Sequence, residues 1–127
     1  MAATKEADRA AVEAVACEYF EAWFAGDPAR MQAVLHPRLV KRYLAEDGSG
    51  PSRALDGSDM VQRTGDGGGS DHSPEERLFD VEVADVYGDI ASVIVRSVIY
   101  REYLHIGRVE GRWQIVDAFF ASVGDGP

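Results

Sequence analysis

The residues from Arg77 to Val123 determine most of the fold that this sequence predicts. They read RLFDVEVADVYGDIASVIVRSVIYREYLHIGRVEGRWQIVDAFFASV. Valine, isoleucine and aromatic residues alternate here with polar residues, which is the pattern of β-strands. Two dipeptides that suit two-residue hairpin loops, Gly88-Asp89 and Glu110-Gly111, interrupt the pattern. The segment therefore predicts three antiparallel strands, at Arg77–Tyr87, Ile90–Val109 and Arg112–Val123.

The two loops also predict how these strands pair. A two-residue loop places Tyr87 opposite Ile90 and Val109 opposite Arg112. One sheet face then carries Phe79, Val81, Val83, Ile94, Val98, Trp113, Ile115, Asp117 and Phe119. The other face carries Val93, Val95, Ile99, Val116 and Phe120. The middle strand would be about 66 Å long at about 3.3 Å per residue, so we expect it to bend at a bulge between Ser97 and Glu102.

Composition limits the classes of protein that this chain can be. With 127 residues and 46% hydrophobic residues, we expect one folded domain spanning residues 1–127. The net charge of -9 argues against a nucleic-acid or anionic-membrane surface, because phosphate groups are bound by basic patches. The single cysteine, Cys17, excludes an internal disulfide, and the N-terminal residues lack the apolar core of a signal peptide. We therefore expect a cytoplasmic protein without a membrane span.

The N-terminal half predicts helices and a small hairpin. A stripe of apolar residues and the capping residues Thr4 and Gly26 predict the first helix. Asp27-Pro28 suits the start of a second helix, and the turn residues near Asp56 suit the start of a third. The predicted helices are Lys5–Ala25, Asp27–Leu35 and Ser58–Arg63. A short strand at Leu39–Leu44, an edge strand at Pro51–Leu55 and a flexible glycine-rich loop at residues 64–73 complete the prediction.

Four stretches carry a resemblance to a known family. They are Tyr19–Trp23 with Gly26-Asp27, Leu35-His36-Pro37, Asp85–Ala91, and Tyr103–Ile106 followed by Glu110–Val116. In this order of elements, the chain resembles the nuclear transport factor 2-like fold, also called the cystatin-like α+β cone. Within it the chain looks like the SnoaL-like proteins, and among these like the group labelled "putative lumazine-binding". The resemblance implies three N-terminal helices packed on a strongly curved, mainly antiparallel sheet.

The resemblance also implies an apolar pocket between the first helix and the concave face of the sheet. Enzymes of the wider superfamily place an Asp, His or Tyr in this pocket, and Asp117 is the implied acid. The candidate pocket residues are Tyr19, Trp23, His36, Tyr43, Arg96, Asp117 and Phe119. Alternatively, Tyr19 and Trp23 pack in the core, His36 caps its helix, and Arg96 and Asp117 pair with each other or reach solvent.

Three functions are compatible with this pattern. The first is binding of a small hydrophobic ligand, without a cofactor. The second is SnoaL-type proton transfer by an isomerase, dehydratase or cyclase, with Asp117 as the base and Tyr19 or His36 as the hydrogen-bond donor. The third is an assembly module with a vestigial pocket. The spacing of His36, His72 and His105 is not that of a zinc site, and no residue set specifies the edge of a pteridine, so we expect neither lumazine nor flavin to bind tightly.

We also expect a homodimer. Helices cover only one face of the sheet, and the other face would still carry Val93, Val95, Ile99, Val116 and Phe120. Monomers rarely expose an apolar patch of that size. Pairing of two such faces about a two-fold axis would bury it.

Overall fold

A computed structural model describes residues 4–123 of the 127-residue chain. Its helices are α1 (Lys5–Ala25), α2 (Pro28–Val34) and α3 (Gly57–Gly65), and a short 3-10 helix covers Pro74–Arg77. Its strands are β1 (Leu35–Tyr43), β2 (Phe79–Tyr87), β3 (Ile90–Ser97), β4 (Tyr100–Val109) and β5 (Arg112–Ser122). The helices and strands form the α+β arrangement that the sequence predicts.

Helix α1 has the predicted bounds, and both of its ends are capped as the sequence indicates. The Thr4 hydroxyl accepts a hydrogen bond from the backbone N–H of Ala7, and Gly26 adopts the left-handed conformation with a φ of 67°. The buried residues of the helix form one stripe that begins at Val12 and continues through Tyr19. No helix within residues 4–123 combines the length and the apolar character that crossing a membrane requires.

The segment after α1 differs from the prediction in detail. Helix α2 ends at Val34, and β1 starts directly at Leu35, four residues earlier than predicted. The segment Pro51–Leu55 forms no strand, but two isolated antiparallel bridges, Lys41–Leu55 and Leu44–Pro51, hold it beside β1. The bridges bring Leu55 to the inner side of β1, where it is buried.

The five strands form one mixed sheet in the order β1-β5-β4-β3-β2. Strand β1 runs parallel to β5, and every other neighbouring pair is antiparallel. Helix α1 packs against β2, β3 and β5, while α3 packs against β1. All three helices lie on the same side of the sheet as the buried core, so the sheet has an inner face toward the helices and an outer face away from them.

The sequence predicted a bend in the middle strand, but at this point the chain reverses direction completely and forms two strands. Strands β3 and β4 pair with each other, with Arg96 opposite Arg101 and Ile90 opposite Gly107. The Ser97 hydroxyl accepts a hydrogen bond of 2.8 Å from the backbone N–H of Tyr100 and stabilises the turn. The meander therefore has four strands instead of three, and the 66 Å strand does not exist.

Two β-bulges change the predicted distribution of side chains between the faces. The register shifts between Val83 and Asp85 in β2, and beside Val116 in β5. Each bulge adds one residue, which moves the following side chains to the other face. Val93 and Val95 pair with the inward-facing Leu104 and Glu102 after the β3–β4 reversal, so they are 1% and 0% exposed and belong to the core. The outer-face patch predicted from them is therefore wrong in composition.

Candidate functional site

A pocket of about 150 Å³ lies between α1, α3 and the inner face of the sheet. Most of its wall is aromatic or aliphatic, with a few charged groups. It is lined by Tyr19, Phe20, Trp23, Lys41, Tyr43, Leu55, Met60, Arg63, Tyr100, Glu102 and Phe120. The structure thus brings together three of the residues proposed from the sequence, namely Tyr19, Trp23 and Tyr43.

Three polar side chains form a connected cluster at the pocket. The Tyr19 hydroxyl donates a hydrogen bond of 2.7 Å to Glu102 Oε2 and accepts one from Lys41 Nζ. Lys41 Nζ also lies 3.0 Å from Glu102 Oε2. Lys41 and Glu102 are 6% and 3% exposed, so this ion pair is buried. Each charge is compensated by the other, as burial requires.

Each member of the cluster comes from a different element. Tyr19 lies on the buried stripe of α1, Lys41 on the inner face of β1, and Glu102 on the inner face of β4. Lys41 is held on both sides of its backbone, because its N–H and C=O pair with Leu55 at 2.9 and 2.8 Å. Its ammonium group lies 4.6 Å from the ring centroid of Phe120, which faces it from β5. The cluster is therefore held by the helix layer and the sheet together.

Burial alters the protonation of the tyrosines in this pocket. Desolvation raises the pKa of Tyr19 well above its usual value, and the nearby negative charge of Glu102 raises it further. Burial also raises the pKa of Tyr100. At neutral pH Tyr19 is therefore a neutral hydroxyl that can donate or accept a proton or hydrogen bond, while the ion pair beside it holds the charges.

The glycine-rich loop, residues 64–73, packs on Trp23, which lines the pocket. A Cβ atom on Gly69 would lie 2.3 Å from the Trp23 carbonyl oxygen, and one on Gly68 would lie 2.5 Å from Trp23 Cη2. The loop starts at α3, where the Gly68 N–H bonds the Arg63 carbonyl at 3.0 Å. Trp23 Nε1 is buried and has no hydrogen-bond partner among the described residues. The backbone at Gly68 and Gly69 lies so close to Trp23 that only glycine fits at these two positions.

Asp117 and Phe119 do not lie in the pocket, contrary to the prediction. The bulge at Val116 turns both side chains to the outer face of the sheet. There Asp117 Oδ1 lies 2.7 Å from His105 Nδ1, and both side chains are at least half exposed. Phe119 is 43% exposed beside Tyr103, its partner in the register of β4 and β5. The predicted position of the acid on the concave face is therefore wrong.

His36 and Arg96 also lie elsewhere. His36 lines a separate surface groove between α2, α3 and β5, and its Nδ1 accepts a hydrogen bond from the Arg38 N–H at 3.0 Å. Arg96 is on the outer face, where its Nη1 lies 2.8 Å from Glu82 Oε1. Arg96 pairs with Glu82 and Asp117 contacts His105, and neither Arg96 nor Asp117 faces the pocket.

The two charged residues of the cluster were missed by the sequence analysis. Lys41 stands between Leu39 and Tyr43 at alternating positions of the predicted short strand, so its placement on an inward face could have been recognised. Glu102 alternates with Tyr100 and Leu104 in the same way, but only once the turn at Ser97 is known. Within residues 4–123, no three His, Cys, Asp or Glu side chains are grouped as a metal site would require.

Comparisons with known proteins identify the fold and the family. A model of the family described as "Putative lumazine-binding" matches residues 7–121. No curated protein matches the sequence significantly.

Solved structures share the architecture at low sequence identity. An NTF2-like protein of unknown function from Silicibacter pomeroyi is 19% identical, with a TM-score of 0.80, over 95% of this chain and 100% of that one. A ketosteroid isomerase-like protein from Erwinia carotovora atroseptica is 18% identical, with a TM-score of 0.66, over 93% and 96% of the two chains. A cystatin-like fold protein from Burkholderia xenovorans is 19% identical, with a TM-score of 0.62, over 96% of each chain. The chain has the cystatin-like α+β fold of these NTF2-like proteins, and it belongs to the family described as putative lumazine-binding.

Proposed function

We propose that this protein binds a small aromatic molecule in the pocket between α1, α3 and the inner face of the sheet. The observation that carries the proposal is the combination of a mostly aromatic wall with a buried polar cluster. Tyr19, Phe20, Trp23, Tyr100 and Phe120 offer ring faces and edges, which favour stacked or T-shaped contacts with another ring. A few polar groups in a mostly apolar pocket are typical of ligand sites.

The size of the pocket limits the ligand. An apolar cavity of about 150 Å³ holds one benzene ring, and this pocket has the same volume. Lumazine contains two fused rings and is therefore larger than benzene. We therefore expect single-ring compounds to bind more tightly than lumazine, and saturable quenching of lumazine fluorescence at micromolar protein would contradict this.

A matched pair of aromatic residues tests the site. Tyr43 lines the pocket and is 39% exposed, whereas Phe119 is 43% exposed on the opposite face of the sheet. We expect single-ring aromatic compounds to raise the melting temperature of the wild type, because a ligand that binds only the folded state stabilises it. Tyr43→Ala should reduce this shift, and Phe119→Ala should leave it unchanged. Equal effects of the two variants, or no shift with any compound, would refute the proposal.

The same cluster supports proton transfer as a second candidate function. The observation that favours it is the neutral Tyr19 hydroxyl, which donates a hydrogen bond to the Glu102 carboxylate where both side chains are buried. Glu102 would take the role of base that the sequence suggested for Asp117, and Tyr19 would donate to a developing oxyanion. Lys41 would position both groups.

Deuterium exchange at the α-carbon of an aromatic ketone tests this second function. We expect exchange in heavy water, followed by NMR, to be catalysed by the wild type and lost in Glu102→Gln. Asp117→Asn is the control, because Asp117 lies on the outer face and should be dispensable. Tyr19→Phe should lower the rate without removing the base. Exchange that survives Glu102→Gln but not Asp117→Asn would restore the original assignment and exclude this one.

A further inference from the structure

We propose that the ligand of this pocket is a single-ring aromatic carboxylate whose acid group is bound by Arg63. This inference rests on the proposed binding function and adds the chemical class of the ligand. The charges that line the pocket sum to a positive value, opposite in sign to the charge of the whole chain.

The pocket carries a net positive charge although the chain carries -9. Lys41 and Arg63 supply two positive charges to its lining and Glu102 supplies one negative charge, which leaves +1. Lys41 and Glu102 compensate each other within 3.0 Å. Within this lining, Arg63 therefore supplies the positive charge that remains, and a guanidinium group remains charged at any physiological pH.

Arg63 lies at the edge of the aromatic part of the pocket. Met60 and Arg63 are three residues apart on α3 and so share one side of the helix. Met60 is buried against the core, whereas Arg63 is exposed, so Arg63 stands at the open end of the pocket. A ring bound among the aromatic residues would direct a carboxylate on its short side chain toward this end.

The guanidinium of Arg63 forms no ion pair within 4.0 Å among residues 4–123. Asp66 and Asp71 share a shallow neighbouring cleft with Arg63, but both remain beyond ion-pair distance. A planar guanidinium binds a carboxylate through two parallel hydrogen bonds, which a neutral amide cannot match.

Isosteric probes separate this inference from the proposed binding function. Phenylacetate and phenylacetamide have the same ring and nearly the same shape, and they differ in charge. We expect calorimetric titration of the wild type to give tighter binding of the acid, and higher salt to weaken the acid more than the amide. If the amide binds as tightly as the acid, the carboxylate inference is wrong and the pocket proposal stands. If neither compound binds, both are wrong.

A charge-matched pair of variants tests the role of Arg63 itself. Arg63→Gln should weaken phenylacetate binding about fivefold, the size expected for an exposed charge pair, and should leave phenylacetamide binding nearly unchanged. Arg53→Gln removes the same charge from an exposed position outside the pocket lining and should change neither affinity. Thermal melting of both variants confirms that they fold. Equal weakening by the two substitutions would show a general charge effect and overturn the assignment of Arg63.

Discussion

Lys41 Nζ lies 3.0 Å from Glu102 Oε2 inside the protein, and Arg96 Nη1 lies 2.8 Å from Glu82 Oε1 on its outer face. The two ion pairs have similar geometry and differ in burial. Removal of one partner from a buried pair leaves an uncompensated charge, which costs about 3–5 kcal/mol. Loss of a partner from an exposed pair costs about 1 kcal/mol or less.

We therefore expect Lys41→Met to lower the free energy of unfolding by about 3–5 kcal/mol, and Arg96→Met to lower it by less than about 1 kcal/mol. The double variant Lys41→Met/Glu102→Leu should recover much of the loss, because both charges are then absent. Urea denaturation measures all three values. Similar losses for the two single variants would show that the Lys41 ammonium reaches water.

The raised pKa of Tyr19 predicts a loss of stability at alkaline pH. In the unfolded chain a tyrosine ionises near pH 10, whereas burial and Glu102 keep Tyr19 protonated in the folded state to higher pH. Its contribution is complete below about pH 10 and declines above it, by up to about 1.4 kcal/mol per pH unit. Tyr19→Phe should reduce the decline of the free energy of unfolding with rising pH. Tyr87→Phe, at an exposed tyrosine, should retain the slope of the wild type.

Because the glycine-rich loop contacts Trp23 closely, we expect one added methyl group at Gly69 to lower the stability of the protein. Gly69→Ala would place its Cβ 2.3 Å from the Trp23 carbonyl oxygen, so the loop must move. We expect a loss of about 1–3 kcal/mol, as for overpacked sites, together with a change in tryptophan fluorescence. Gly65→Ala is the control, because its Cβ would meet Pro28 Cγ at an ordinary 3.6 Å. Equal stability of the two variants would mean that the loop does not hold Trp23.

We propose that the protein forms a homodimer through the outer face of the sheet, with a different set of residues from the one the sequence predicted. Ile94, Tyr103 and Phe119 lie side by side across β3, β4 and β5, while on β1 Arg42 lies opposite Phe119 and Val40 opposite Asp117. Ile94, Tyr103 and Phe119 form a partly exposed apolar strip. A second copy would bury it about a two-fold axis.

Sedimentation of the wild type and two variants tests this interface. Tyr103→Glu places a charge in the centre of the strip, whereas Val98→Glu places one at the β3–β4 turn, and the two residues are 48% and 53% exposed. We expect a dimer at micromolar concentration for the wild type and for Val98→Glu, and a monomer for Tyr103→Glu. A monomeric wild type, or a dimer that survives Tyr103→Glu, would exclude the interface.

The parts of the fold that depend on local signals were predictable from the sequence. Thr4 and Gly26 mark the ends of α1, and Gly88-Asp89 and Glu110-Gly111 mark two of the hairpins. The third hairpin was missed because its turn contains Val98 and Ile99, and no glycine, asparagine or proline marks it. The hydroxyl of Ser97 stabilises that turn instead.

The candidate site residues differ in whether a helix or a strand positions them. The placement of Tyr19 and Trp23 depends only on the period of a helix, and both residues line the pocket. Asp117 and Phe119 depend on strand register, and the extra residue Val116 reverses the face of both side chains. A bulge follows from the fit of the whole sheet and has no sequence signature of its own, which is why the register beyond it was wrong.

The parallel pairing of β1 with β5 has a consequence for how the protein folds. Strands β2 to β5 pair with their neighbours in sequence, but Leu35 pairs with Ile115 and Tyr19 bonds Glu102, 83 residues away. Closing so long a loop costs entropy before any contact is gained, so distant pairings form slowly. We expect the four-stranded meander to fold first and β1 with α1 to dock last. The pocket would then be complete only after the rate-limiting step, and a bound ligand would slow unfolding without speeding refolding.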